Sequence, residues 1–138
     1  DTTATGLSRL DWSIPDGTDL VILELGANDA LQGLPLDQTK ANLMAMIERL
    51  KERKISVLLA GMQAPPNMGT PYVDVFNAIY PDLAKQYQLP FYPFFLDGVA
   101  AIPELNLKDG IHPNKDGVAI ITNKIAPLVA QLVKDMQS

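Results

Sequence analysis

The sequence contains no cysteine, which removes disulfides, thiolate metal sites and a cysteine nucleophile while suiting an oxidising or a reducing compartment equally. It also has no basic stripe: 11 Lys and Arg, scattered singly, stand against 16 Asp and Glu, for a formal charge of −5. Neutralising a run of phosphates needs the opposite balance, so nucleic acid is excluded as the expected partner. The longest apolar stretches, such as residues 20–23 and 55–60, fall far short of the roughly 18 residues of a membrane span. No integral membrane segment is expected. The opening Asp1-Thr2-Thr3-Ala4-Thr5-Gly6 shows neither an initiator Met nor the basic-then-apolar plan of a signal peptide, which leads to the expectation that an upstream piece was removed.

What is present is a globular composition. A chain of 138 residues, 47% hydrophobic, with a mean hydropathy of +0.06, can bury a core as one domain over residues 1–138. Residues 19–25 form a nearly continuous apolar run closed by Gly26, the pattern of a strand buried on both faces in a parallel sheet. Helical spacing follows over residues 37–53 through Ala41, Met44, Ile47 and Leu50, ending in a charged, solvated turn. A second buried strand is expected at 55–60. Residues 61–71, with three prolines, read as a loop at its carboxyl end. Residues 72–87 return to helical spacing, with Pro81 expected to kink the helix or to start a fresh turn, and 89–95 read as a third strand. After a loop over 104–115, Asp116 is expected to N-cap a last helix with Val118, Ile121, Ile125, Leu128, Leu132 and Met136 on one stripe and Pro127 bending it. Strands and helices thus alternate, which predicts an open parallel α/β sheet. Ligands of such sheets bind beyond the carboxyl ends of the strands, which selects the loops 26–35, 61–71 and 104–115.

Two of those loops carry residues suited to chemistry. His112, the only histidine, follows Asp109 by three residues in Asp109-Gly110-Ile111-His112-Pro113-Asn114. A carboxylate at that spacing can reach the Nδ1 hydrogen, fix the tautomer and stabilise the imidazolium formed when Nε2 takes a proton. An isolated histidine in a polar loop can equally just bond its surroundings. Gly26-Ala27-Asn28-Asp29 directly follows the first strand, where the Asn28 amide can donate to a developing oxyanion. The same residue types also make ordinary turns.

Taken together, the two motifs resemble the third and fifth sequence blocks of the SGNH (GDSL-type) hydrolases. The resemblance extends through Val21-Ile22-Leu23-Glu24-Leu25-Gly26-Ala27-Asn28-Asp29, the Gln63-Ala64-Pro65-Pro66-Asn67-Met68-Gly69 loop and Phe76-Asn77-Ala78-Ile79-Tyr80-Pro81, in the order seen in the bacterial thioesterase, arylesterase and lysophospholipase branch. It implies a flavodoxin-like fold with helices on both faces of the sheet, a Ser-His-Asp triad, and hydrolysis of small-molecule esters or acyl thioesters without metal or organic cofactor. By the same resemblance His112 is the general base, Asp109 its orienting carboxylate and Asn28 the oxyanion donor, while Asp29 supports its loop. Gly26, Leu31, Pro65 and Pro66 join Asp29 as candidate substrate-contacting positions, the apolar and proline-rich loops either walling an acyl slot or facing the core. A periplasmic or secreted location is implied by the branch alone.

The family's Gly-Asp-Ser-Leu block is not found. Ser8, Ser13, Ser56 and Ser138 each read as solvated or structural hydroxyls. The alignment therefore leads to the expectation that the first two strands and the helix between them are missing from these 138 residues. In a 2-1-3-4-5 strand order that loss turns the strand at 20–25 into an edge, which its own N-terminal segment or another copy would pair. Two other functions remain on the same scaffold: a non-catalytic binding module and a carbohydrate-ester deacetylase.

Overall fold

A computed structural model of the chain describes residues 1–137. Its sheet has three strands, β1 (Leu20–Leu23), β2 (Ser56–Ala60) and β3 (Phe91–Tyr92), in the order β1-β2-β3 with both pairings parallel. Leu20 lies opposite Ser56 and Leu59 opposite Phe91. Five α-helices accompany these strands among the described residues: α1 (Thr3–Ser13), α2 (Ala27–Leu31), α3 (Leu36–Glu52), α4 (Thr70–Tyr87) and α5 (Lys115–Met136), with 3-10 turns at Pro66–Met68 and Pro103–Leu105 making further short connections. The parallel α/β class is what alternating strand and helix patterns predict, and the flavodoxin-like fold is what the family resemblance implies.

The chain forms two compact units, divided after Pro93. In the first, the core is built on β2, whose Val57, Leu58, Leu59 and Ala60 are all buried as expected of a strand covered on both faces. Helices α3 and α4 both pack against it. From α3 come Leu43, Met46, Ile47 and Leu50, and from α4 Phe76, Ile79, Tyr80 and Leu83. Each set repeats at three- and four-residue steps, so one helical face is lost to water.

Several expectations need correction. The strand expected at 19–25 is confined to Leu20–Leu23, and only Leu23 is buried; Ile22 stays 42% exposed because β1 has a partner on one side only. The strand expected over 89–95 shrinks to Phe91–Tyr92, since Pro90 and Pro93 on either side have no N–H to give a ladder. Helix α1 was not foreseen. Its start is a capping box in which Thr2 and Thr5 satisfy each other's backbone N–H groups, and threonine at both ends is a weaker sequence signal than a Glu at the second position. The short helix α2 occupies what reads as a turn, and α4 is assigned without a break through Pro81.

In the second unit, from Phe94 on, α5 is capped two residues before the expected position. Asn114, not Asp116, is the N-cap: its Oδ1 accepts from Gly117 N at 3.0 Å, leaving Asp116 in the first turn. Helix α5 also runs through Pro127. Its length and a mean hydropathy of 1.2 over 18 residues meet the composition of a membrane crossing, which counting unbroken apolar runs did not register. The apolar residues nonetheless follow a stripe, with Ile121 and Ile125 buried, Leu128 and Leu132 half-buried, and Thr122, Asn123, Lys124 and Gln131 exposed.

Candidate active site

The loop leading into α5 is closed by backbone pairing at its base. Leu107 N donates to His112 O at 2.8 Å and Asn114 N to Leu105 O at 2.9 Å, while Asn106 and Pro113 form an antiparallel bridge. Asn114 Nδ2 donates to Glu104 O at 2.8 Å, so one side chain both caps α5 and holds the incoming strand of the loop. The buried Asn106 Nδ2 donates to Val99 O and Ile102 O, each at 2.9 Å. Gly117 sits where a Cβ would lie 2.2 Å from Leu105 O, so a side chain there would push the loop off the helix.

At the tip, Asp109 and His112 meet directly. Asp109 Oδ2 and His112 Nδ1 are 2.7 Å apart, and Asp109 Oδ1 accepts from Ile111 N at 2.9 Å and His112 N at 3.1 Å. Gly110 takes φ +71°, the left-handed conformation that lets the chain fold back within three residues. The hydrogen bond from His112, then those from the two backbone amides, hold the Asp109 carboxyl down at about 2. A carboxylate accepting at Nδ1 sets the tautomer in which Nε2 is the nitrogen open to a proton, and the ring is 64% exposed.

The β1–α2 turn is built differently. Gly26 has φ +119° and caps α2, and a Cβ on it would lie 1.9 Å from the Tyr80 hydroxyl. That hydroxyl donates to Leu25 O at 2.6 Å. Asn28, half-buried in the first turn of α2, donates from Nδ2 to Asp1 O at 3.1 Å. Asp29, beside it, is 2% exposed. Its Oδ1 accepts from Thr3 N at 2.8 Å, and its Oδ2 from Thr3 Oγ1 at 2.5 Å and Thr39 Oγ1 at 2.8 Å. Asn42 Nδ2 in turn donates to Thr3 Oγ1 at 3.1 Å. Asp29 therefore ties the starts of α1, α2 and α3 together, with both carboxylate oxygens engaged by Thr3 and Thr39.

Among the other candidates, Leu31 is 40% exposed, Pro66 is exposed and Pro65 half-buried. The 61–71 loop is held by Asn77 Oδ1, which accepts from Ala64 N at 2.8 Å, and by Gly61 N, which donates to Tyr92 O at 2.7 Å. Asn28 and the Asp109–His112 pair belong to different units. A cleft of about 350 Å³ lies beside the pair within the second unit, bordered by Ile102, Pro103, Leu107 and Gly110. Sequence reasoning passed over Thr3, Thr39, Asn106 and Tyr80. The first two are separated from Asp29 by 26 and 10 residues, so spacing carries no signal for them.

The described serines have local roles. Ser8 Oγ donates to Thr5 O at 2.8 Å, Ser13 Oγ accepts from Arg9 Nη1 at 3.1 Å, and Ser56 is exposed at the first residue of β2. Ser138 lies outside the described residues.

Known proteins give this arrangement its context. Residues 1–120 match the GDSL-like lipase/acylhydrolase family. The chain is 40% identical over 137 residues to an arylesterase of Vibrio mimicus, covering 99% of this chain and 67% of that protein. It is 37% identical over 134 residues to thioesterase 1/protease 1/lysophospholipase L1 of Escherichia coli strain K12, covering 96% of this chain and 64% of that one. The solved structure of AlinE4, an SGNH-hydrolase family esterase, superposes with a TM-score of 0.75 at 44% identity, over 96% of this chain and 71% of its own. The chain thus spans about two thirds of the length of these curated relatives. With the family pattern matched over most of its residues and an Asp-x-x-His pair in hydrogen-bonded contact ahead of its last helix, the chain belongs to the GDSL-like lipase/acylhydrolase family.

Proposed function

We propose that this chain carries the acid–base half of a serine-dependent hydrolase acting on carboxylic esters or acyl thioesters. The observation that carries the reading is the 2.7 Å contact between His112 Nδ1 and Asp109 Oδ2 on an exposed ring. In it, His112 Nε2 takes the proton of a serine hydroxyl as that oxygen attacks the acyl carbonyl, then returns it to the leaving alcohol or thiol. Asp109 orients the ring and stabilises its cation. Asn28 donates to the oxyanion of the tetrahedral intermediate, exchanging its acceptor at Asp1 O for the substrate oxygen. Water then repeats the sequence on the acyl-enzyme. Gly26, Leu31, Pro65 and Pro66 border the acyl group in this reading.

The nucleophilic serine comes from outside residues 1–138, because the described hydroxyls are engaged locally or lie at the start of a strand, away from the carboxyl-end loops. Activity accordingly requires a serine-bearing N-terminal segment. The margin of β1, with Ile22 exposed, is where that segment pairs, or where another copy does in its place.

The test is the denatured intact mass of the purified protein after treatment with a serine-reactive phosphonate. An adduct on a serine outside residues 1–138 is expected. Labelling of Ser8, Ser13, Ser56 or Ser138 would overturn the assignment, and no adduct in a protein holding all its segments would favour a binding module. Light scattering addresses the strand margin: residues 1–138 alone should self-associate or aggregate, and a stable monodisperse monomer would count against pairing there.

A further inference from the structure

The motif Phe76-Asn77-Ala78-Ile79-Tyr80-Pro81 lies in the middle of α4, outside the loops that bear the proposed catalytic groups, and the proposed reaction uses none of its side chains. Tyr80 is 1% exposed, and the edge of its ring meets Phe76 with centroids 5.6 Å apart and planes at 64°. A hydroxyl at such depth must be bonded. Its acceptor is the carbonyl of Leu25, at 2.6 Å. Leu25 lies between the end of β1 and Gly26, whose φ of +119° turns the chain directly into α2, and Asn28 is the second residue of that helix. The slack between the rigid strand and Asn28 is therefore the rotation around Leu25 and Gly26. Tyr80 closes it from both sides, bonding the carbonyl and filling the space a Cβ on Gly26 would occupy. Burial, with Asp29 and Glu24 nearby, also pushes the phenol well above its ordinary range, so it remains an O–H donor at every working pH.

We infer that Tyr80 is a positioning residue of the reaction, holding the β1–α2 turn so that the Asn28 amide points at the oxyanion. The inference rests on the proposed role of Asn28. Positioning to within a fraction of an ångström decides how much such a donor contributes, because the oxyanion and the ground-state carbonyl oxygen differ in place by little more than that. The neighbouring Asn77 supplies an internal contrast. From the same helical turn it also makes one side-chain-to-backbone hydrogen bond, but as an acceptor, its Oδ1 taking the N–H of Ala64 in the β2–α4 loop and not a group of the turn that bears Asn28.

The experiment is a double-mutant cycle in the serine-complete protein. Asn28→Ala should lower kcat by about 10²–10³-fold. Tyr80→Phe, which keeps the ring and removes the hydroxyl, should lower kcat about tenfold with KM within about threefold, and in the Asn28→Ala background should change kcat by less than about twofold. Asn77→Ala should show the same fold-change in both backgrounds. In the same samples, amide exchange should speed up in Tyr80→Phe at residues 26–31 and not across β2. Full multiplication of the Tyr80→Phe and Asn28→Ala losses would overturn the positioning role while leaving Asn28 in place. So would exchange that rises throughout the first unit. Wild-type turnover by Asn28→Ala would remove the underlying role of Asn28, and the inference with it.

Discussion

Asp29 and Asp109 each accept three hydrogen bonds, yet they are built for opposite purposes. Asp29 is buried, and its donors are the Thr3 amide and the hydroxyls of Thr3 and Thr39, groups that hold their protons at any ordinary pH. Asp109 is 44% exposed, and one of its three donors is an imidazole that can give up or take a proton. The first arrangement fixes three helix starts in space. The second fixes a ring while leaving its far nitrogen in reach of solvent. A carboxylate's partners and exposure, and not its count of hydrogen bonds, separate a structural acid from a chemical one.

The sharpest way to break that comparison is to remove each carboxylate and watch different readouts. In the serine-complete protein, His112→Ala should lower kcat by about 10⁴-fold or more and Asp109→Asn by about 10³–10⁴-fold, with chemical-denaturation midpoints little changed because both groups are exposed. Asp29→Ala should do the reverse. It leaves the Thr3 amide and two threonine hydroxyls without their acceptor in a dry site, at a cost of about 3 kcal/mol in stability, while the folded fraction keeps most of its turnover. Urea titrations and initial rates on the same preparations decide it. An Asp29→Ala protein as stable as the parent, or an Asp109→Asn protein as fast, would erase the distinction.

A smaller effect comes from pH, where Asp109 can be set against Glu24. The Asp109 carboxyl is depressed from 3.8 to about 2, chiefly by the His112 hydrogen bond, so its contribution to stability is present above about pH 4 and is lost as pH falls toward 2. Glu24, at the end of β1, is raised from 4.5 to about 7 by burial. Its sign is opposite: stability is full below about pH 4.5 and declines as pH rises through 7, because the folded state then releases a proton it holds more tightly than the unfolded chain does. Carboxyl carbon NMR titrations should show two curves displaced in opposite directions. Glu24→Gln should flatten the stability profile between pH 4.5 and 7. A Glu24 curve centred near 4.5 would mean that its side chain reaches water more freely than the geometry of β1 gives it.

Local signals were legible in the sequence, and contacts between distant residues were not. The Asp109–His112 spacing, the helical stripes of α3 and α4, and the apolar run of β2 all lie within stretches short enough for periodicity or turn geometry to speak for them. What the pattern missed depends on partners brought from elsewhere. Asp29 reads as a turn residue until Thr3 and Thr39 are placed around it, and Tyr80 reads as one more core aromatic until its hydroxyl is found on Leu25. The cap of α5 differs from the expectation for a related reason: Asn114 and Asp116 are both good caps by type, and bonds to distant residues, from Asn114 N to Leu105 O and from Asn114 Nδ2 to Glu104 O, hold the earlier one in place. The unequal burial of β1 and β2 has the same origin, because an apolar run records what a strand can pair with and not how many neighbours it has.

The smallest effect expected concerns the two glycines that turn the chain toward these sites. Gly26 and Gly110 both have positive φ, but a Cβ on Gly26 would meet the Tyr80 hydroxyl at 1.9 Å, whereas one on Gly110 meets nothing within 4 Å. Gly110→Ala therefore carries only the backbone cost of a left-handed residue, about 1 kcal/mol, spent within an exposed tip. Turnover should fall no more than about tenfold, since a tilt of the Asp109 carboxylate is the sole route by which that strain reaches His112. Gly110→Asn should recover most of the loss, because asparagine tolerates φ near +60° better than any other side-chain-bearing residue. If Gly110→Asn and Gly110→Ala were equally slow, the requirement at this position would be the absence of a side chain and not the conformation, and the space beside the pair would then have to be occupied by substrate during the reaction.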